Sequence, residues 1–140
     1  MVEFLGDLPP DAAWREMQAT EVFVLPTYTE GFPNVILEAM AAGKAIVSTR
    51  VGAIAEMLDA DGESPSGLVI QPRDAGSLAN ALRQLLSDAE LRETLGARAR
   101  GKVTRCYSTD VVFRRLLDLW DAPERQPIIA GVQSCSLALK

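Results

Sequence analysis

Apolar residues along this chain gather in two ways: short unbroken runs, and longer stretches where they recur every three or four positions. The unbroken runs are VEFLG (2–6), EVFVLP (21–26), KAIVST (44–49) and GLVIQ (67–71). Each ends at glycine, proline or a polar residue, the punctuation expected of buried strands. Because the runs do not alternate with polar residues, both faces of each strand are expected to be covered, as in a parallel sheet. Between them lie helical stretches. Asp11 starts one through about Thr20. Pro33 is expected at the first helical position of the next, which runs to Ala42 with Gly43 as its stop. AIAEML (53–58) reads as a short helix, and DADGESPS (59–66) as a surface loop. Asp74 caps a helix with Leu78, Leu82, Leu85 and Leu86 on one stripe. Ser87 and Glu90 have capping-box spacing for a helix through LRETLGARARGKV. Ser108 caps a last helix that sets Phe113, Leu117 and Trp120 on one face. Pro123 and Pro127 end regular structure, and 123–140 reads as a tail whose apolar IIAGV run is expected to dock. Strands alternating with helices predict a three-layer α/β domain over residues 1–122, with about four mostly parallel strands.

Composition narrows what such a domain can do. With 140 residues there is room for one domain and a real core. A net charge of −5 with dispersed arginines argues against nucleic-acid binding, which needs a concentrated basic face. There is no histidine, so His-based triads, His general bases and His-ligated metals are excluded within the chain. Cys106 and Cys135 form no CxxC pair, and no signal peptide precedes them, which fits a reducing cytosol. No run approaches about 18 uninterrupted apolar residues, so no membrane span is indicated. We find no internal repeat or low-complexity tract.

The chemistry concentrates in EGFPNVILE, residues 30–38. In open α/β sheets, ligands sit beyond the carboxyl ends of strands, where loops enter helices, and TYTEGFPN is such a connection. Gly31 lets the backbone approach a ligand, and the first amides of the following helix lack intrahelical acceptors. Together with the helix dipole those amides suit an anion such as a diphosphate. Glu38, about one and a half turns in, is suited to accept hydrogen bonds from a vicinal diol such as a ribose; Glu30 could do the same for a sugar hydroxyl. The loop RVGAIAE (50–56) also joins a strand to a helix and could line the same crevice. The plainer account makes Glu38 a solvated surface glutamate, Glu30 a loop charge and Pro33 a good helix starter. Spacing alone does not choose between them.

The longer string does. LPTYTEGFPNVILEAMAAGKAIVSTRVGAIAEML, followed by GLVIQPRDAGSLANALRQLLSD and LRETLGARAR, closely resembles the C-terminal domain of GT-B glycosyltransferases, in particular the retaining family 4, or group 1. The match covers residues 2 to about 120, and the E-x7-E element with EAMAAGK is highly specific. The resemblance implies half of a pair of Rossmann-like domains, the half that holds a nucleotide-sugar, with the acceptor held mostly by the other. It further implies that Glu38 accepts the ribose hydroxyls and that Glu30 lies beside the donor sugar, as the candidate catalytic-site residue. Backbone amides at Gly31, Phe32, Asn34 and Val35 would contact the sugar or its diphosphate, and Gly6, Asp7 and Leu8 match the place where the base is held. Neither a metal nor a cofactor is expected beyond the nucleotide-sugar substrate.

The chain departs from the family in two ways. Gly52, Ala53, Ile54, Ala55 and Glu56 replace the common Gly-Gly-x-Pro-Glu, a mild change. The acceptor domain and the first part of the donor domain, with two strands and the Arg and Lys that clamp the diphosphate, have no counterpart. Stabilising a leaving diphosphate normally takes cations as well as helix-end amides, so an N-terminally truncated chain is expected to transfer sugar poorly or not at all. The absent strands belong between VEFLG and EVFVLP. Their loss leaves strand edges and apolar helix faces to be covered, by re-pairing within the chain, self-association or domain swapping. The expected function is thus the nucleotide-sugar-binding part of a retaining hexosyl transferase acting on a saccharide or lipid-linked acceptor. Its expected place is cytoplasmic, with a peripheral station at the inner face of the membrane. The competing reading is a non-catalytic remnant or regulatory module that keeps the fold and some nucleotide affinity. A dinucleotide enzyme is disfavoured because no GxGxxG follows a strand. A membrane role for the last helix is weaker still.

Overall fold

The computed structural model describes residues 2–121; the tail expected at 123–140, with its IIAGV run and Cys135, lies outside the described residues. Six helices and three strands follow in the order α1 (Pro10–Ala19), β1 (Val22–Leu25), α2 (Asn34–Ala41), β2 (Ala45–Thr49), α3 (Ile54–Met57), β3 (Leu68–Ile70), α4 (Ala75–Ser87), α5 (Ala89–Tyr107) and α6 (Thr109–Asp121). The strands form one parallel sheet in the order β1-β2-β3, with Phe23 opposite Ile46 and Val47 opposite Leu68. The three-layer α/β architecture expected from the apolar runs is therefore present.

Successive residues of β2 point to opposite faces of the sheet, and each face has its own helical cover. Ile46 packs with Ile36, Ala39 and Met40 of α2, Ile54 and Met57 of α3, Leu58, and Ala99 of α5. Ala45 and Val47 pack with Ala81 and Leu85 of α4 and Leu95 of α5. The long helix α5 thus serves both layers, giving Leu91 and Leu95 to one and Ala99, Val103 and Tyr107 to the other. Every residue of β2 is buried, which explains its lack of alternation. Each large side chain buried here contributes about 1.5–3 kcal/mol relative to exposure.

Several local devices seat the helices. Helix α2 ends in a Schellman motif: Gly43 adopts φ +67°, its N–H donates to Met40 O, and the Lys44 N–H donates to Ala39 O, each at 3.0 Å. Arg100 of α5 covers the remaining carbonyls, with Nε 3.1 Å from Ala41 O and Nη2 3.0 Å from Ala42 O. A Cβ on Gly96 would run into the Gly43 carbonyl, so the glycine lets α5 approach this closely. Asp74 caps α4 as expected, accepting from the Ser77 N–H at 2.9 Å.

Four expectations need correction. VEFLG is not a strand: residues 2–6 are irregular and exposed, because no strand among the described residues lies beside them to supply ladder hydrogen bonds. The sheet therefore has three strands, and among the described residues no re-pairing rescues the fourth. Helix α1 begins at Pro10, its fixed φ serving the first helical position. Pro33 is the N-cap of α2 rather than its first residue, with an extended ψ of 111°. The capping box at Ser87 and Glu90 is displaced by one residue. Ser87 closes α4, donating to Gln84 O, while Asp88 accepts from the Leu91 N–H at 2.9 Å and caps α5. Asp88 wins because a carboxylate reaches the free amides at least as well as a serine hydroxyl, and one residue ends both helices.

Candidate functional site

The carboxyl ends of all three strands face one side of the domain, and three connections gather there. The first, Pro26–Pro33, is held by buried hydroxyls of β2: Ser48 Oγ donates to Leu25 O at 2.8 Å, and Thr49 Oγ1 donates to Thr27 O at 2.5 Å. The second packs directly on it. Gly52, at φ +52°, lies so close that a Cβ would strike the Glu30 and Gly31 carbonyls, and the Ala53 N–H donates to Gly31 O at 2.9 Å. The crevice shared by TYTEGFPN and RVGAIAE is thus formed by backbone contact, which requires glycine at position 52.

Within this frame the residues singled out by sequence occupy different positions. Gly31 and Phe32 are exposed; a Cβ on Gly31 would meet nothing within 4 Å, so the space before its backbone is open. Asn34 and Val35 open α2, and the Ile36 N–H is the first of the helix to find a backbone acceptor, Pro33 O at 3.0 Å. Their own amides are the free donors of the helix end. Glu30 is half-buried and Glu38 exposed, and neither is among the hydrogen-bonded or ion-paired side chains of the described residues. The cost of burying a lone carboxylate in VILEAMAA does not arise, because Glu38 lies on the solvent side of α2. Gly6, Asp7 and Leu8 lie in the exposed segment before α1, Gly6 at φ +65°, and no hydrogen bond of the described residues joins them to the Glu30 loop.

The third connection carries residues that sequence reasoning passed over. Arg73, at φ +64°, stacks over Tyr28 with its guanidinium carbon 5.9 Å from the ring centroid. Together with Pro26, Thr49, Ile70 and Asp74 they line a cleft of about 200 Å³ beyond the strand ends. The signal was available: QPRD directly follows a strand and ends at a helix cap, the placement used to single out TYTEGFPN. Asp74 was read only as a cap. Its carboxyl is held below the ordinary aspartate range by the Ser77 hydroxyl and then the Ser77 amide.

Behind the Glu30 loop stands the last part of α5. The Tyr107 ring meets Phe32 edge-on at 5.8 Å, and burial, then Glu56, raises its phenol above the usual range. Lys102 Nζ donates to Glu56 O and lies 3.6 Å from Asp59 Oδ1; burial lowers its ammonium below the usual lysine range, an effect Asp59 opposes. Among the described residues no group of three or more His, Cys, Asp or Glu could hold a metal ion, and no helix is long and apolar enough to cross a membrane.

The family described as Glycosyl transferases group 1 matches residues 1–102. The chain belongs to that family. Among its relatives is the D-inositol 3-phosphate glycosyltransferase of Corynebacterium urealyticum, 34% identical over 126 residues, covering 90% of this chain and 29% of that protein. The sucrose-phosphate synthase of Thermosynechococcus elongatus superposes with a TM-score of 0.75 at 29% identity, over 84% of this chain and 29% of that one. The C-terminal domain of a group 1 glycosyl transferase from Francisella tularensis superposes with a TM-score of 0.63 at 28% identity, over 77% of this chain and 53% of that domain. This group 1 chain therefore spans under a third of the length of the curated relatives it matches, and its fold is that of the C-terminal, GT-B half of these enzymes.

Proposed function

We propose that this chain is the nucleotide-sugar-binding portion of a retaining glycosyltransferase. The whole enzyme passes a hexosyl group from a nucleoside diphosphate sugar to a saccharide or lipid-linked acceptor at the cytoplasmic side of a membrane. One observation carries the reading: the open backbone at Gly31 and the free amides of Asn34 and Val35 lie between two uncommitted carboxylates, Glu30 and Glu38. Amides at a helix end attract a diphosphate, and carboxylates without partners are free to accept hydroxyl hydrogen bonds from a ribose and a hexose. Both glutamates position hydroxyls, and Glu30 stands beside the donor sugar. Gly6, Asp7 and Leu8 hold the base. No cofactor enters this chemistry.

The same geometry limits the isolated chain. Arg73 is engaged with Tyr28 in the neighbouring cleft, so the leaving diphosphate would rely on amides and receive little cationic stabilisation. We expect binding without efficient transfer. Titration with UDP, GDP and their glucose and mannose sugars tests this: saturable binding that Glu38→Ala weakens at least about tenfold supports the donor site. Absence of saturable binding to the native chain would leave only a remnant that keeps the fold. The open edge of β1 and the exposed Val2, Phe4 and Leu5 further support self-association, through β1 edges covered by a second copy. Sedimentation across a hundredfold range of concentration checks it, and a monomer throughout would refute it.

A further inference from the structure

Resting on that donor-site reading, we infer that the last turns of α5 are a positioning platform for the Glu30–Phe32 loop, with Lys102 and Tyr107 as its two positioning residues. The platform grips the loop from two sides. On one side Lys102 holds the carboxyl end of α3, donating to Glu56 O and facing the Asp59 carboxylate. Asp59 has a left-handed φ of +54°, a conformation that a non-glycine residue keeps only when its surroundings hold it there. At its amino end α3 meets the loop itself, through the Ala53 N–H to Gly31 O at 2.9 Å and the close seating of Gly52. On the other side, Tyr107 places its ring edge-on to Phe32, the next residue of the loop.

Helix α5 is itself fixed to the far end of α2. Gly96 abuts Gly43, and Arg100 covers the Ala41 and Ala42 carbonyls. One helix therefore sets both the carboxyl end of α2 and the loop that leads into its amino end. Since the proposed ligand meets that amino end, small displacements of the loop would misplace the Gly31 backbone relative to the Asn34 and Val35 amides. Lys102 and Tyr107 touch no ligand in this arrangement; they act through α3 and Phe32.

The test separates this inference from the donor-site reading. Hydrogen exchange at the Ala53 amide, followed by NMR on the full chain without ligand, reports the grip directly. Lys102→Met and Tyr107→Ala should each speed that exchange roughly tenfold or more, while Tyr107→Phe, which keeps the ring, should restore it. Val103→Ala, one residue from Lys102 and packed on the same core, should lower thermal stability without selectively exposing Ala53. Unchanged exchange in both Lys102→Met and Tyr107→Ala would overturn the inference whatever the protein binds. In parallel, UDP and GDP titrations should show about tenfold weaker binding in those two variants and none of that loss in Tyr107→Phe. Native protein that binds neither nucleotide would refute the donor-site reading, and the exchange experiment would still decide the platform.

Discussion

Two apolar stretches of similar character end in opposite environments. VILEAMAA in α2 places Ile36, Ala39 and Met40 at 0% exposure. VEFLG, with a higher density of strand formers, leaves Val2 at 81% and Phe4 at 94%. The difference lies in what stands beside each segment. A helix satisfies its own backbone hydrogen bonds, so α2 needs only the sheet and α5 to bury one face. A strand depends on a neighbour for half of its structure, and among the described residues no strand flanks residues 2–6. Helix α6 repeats the lesson with side chains alone: it forms, yet Phe113, Leu117 and Trp120 share an exposed face because no second layer among the described residues covers it.

Breaking the contrast should have its largest effect at the buried end. Ile36→Ala should cost about 3–4 kcal/mol in denaturant unfolding, because the cavity is enclosed by the sheet and α3. Gly96→Ala should cost about 2–3 kcal/mol by pushing α5 away from Gly43, with no cavity to absorb the methyl group. Asp88→Ala should cost about 1 kcal/mol, since it removes the acceptor for the Leu91 amide at the turn between α4 and α5. A smaller effect is expected for Asp74 and is sharpened by acid. Its folded carboxyl titrates below the ordinary aspartate range, so its contribution is complete above that range and is lost as pH falls through the lower folded value. The melting temperatures of Asp74→Asn and native protein should accordingly converge as the pH falls through that lowered value. At the exposed end, Phe4→Ser should change stability by under about 0.5 kcal/mol; a large loss there would show that residues 2–6 are packed in solution.

Much of this arrangement was legible in the chain. Unbroken runs at VFVL, AIVS and LVI marked three strands, β2 fully buried and β1 and β3 half-buried, and their character pointed to a parallel sheet. Gly43 marked the end of α2, and Asp74 the start of α4. The E-x7-E string located the candidate site and carried the family resemblance. Boundaries were less legible where two residues competed for one role, as Ser87 and Asp88 did, or where proline fits both a cap and a first turn, as Pro33 did. Arg73 and Tyr28 escaped notice because their association requires β1 and β3, separated by the whole stretch 26–67 of the chain, to end side by side. Lys102 and Tyr107 looked like ordinary helix positions until the path of α5 set them behind the Glu30 loop.

The sequence alone determined the periodicity of each element, the helix ends marked by Gly43 and Asp74, and the E-x7-E spacing of Glu30 and Glu38, because these depend on side chains within a few positions of one another. Only the tertiary structure decided whether VEFLG could be a strand, which carbonyls forbid a side chain at Gly52 and Gly96, and which helix stands behind the Glu30 loop. Those outcomes depend on backbone groups distant in the chain meeting at hydrogen-bonding or van der Waals distance. A single strand carries no record of whether its neighbour is there.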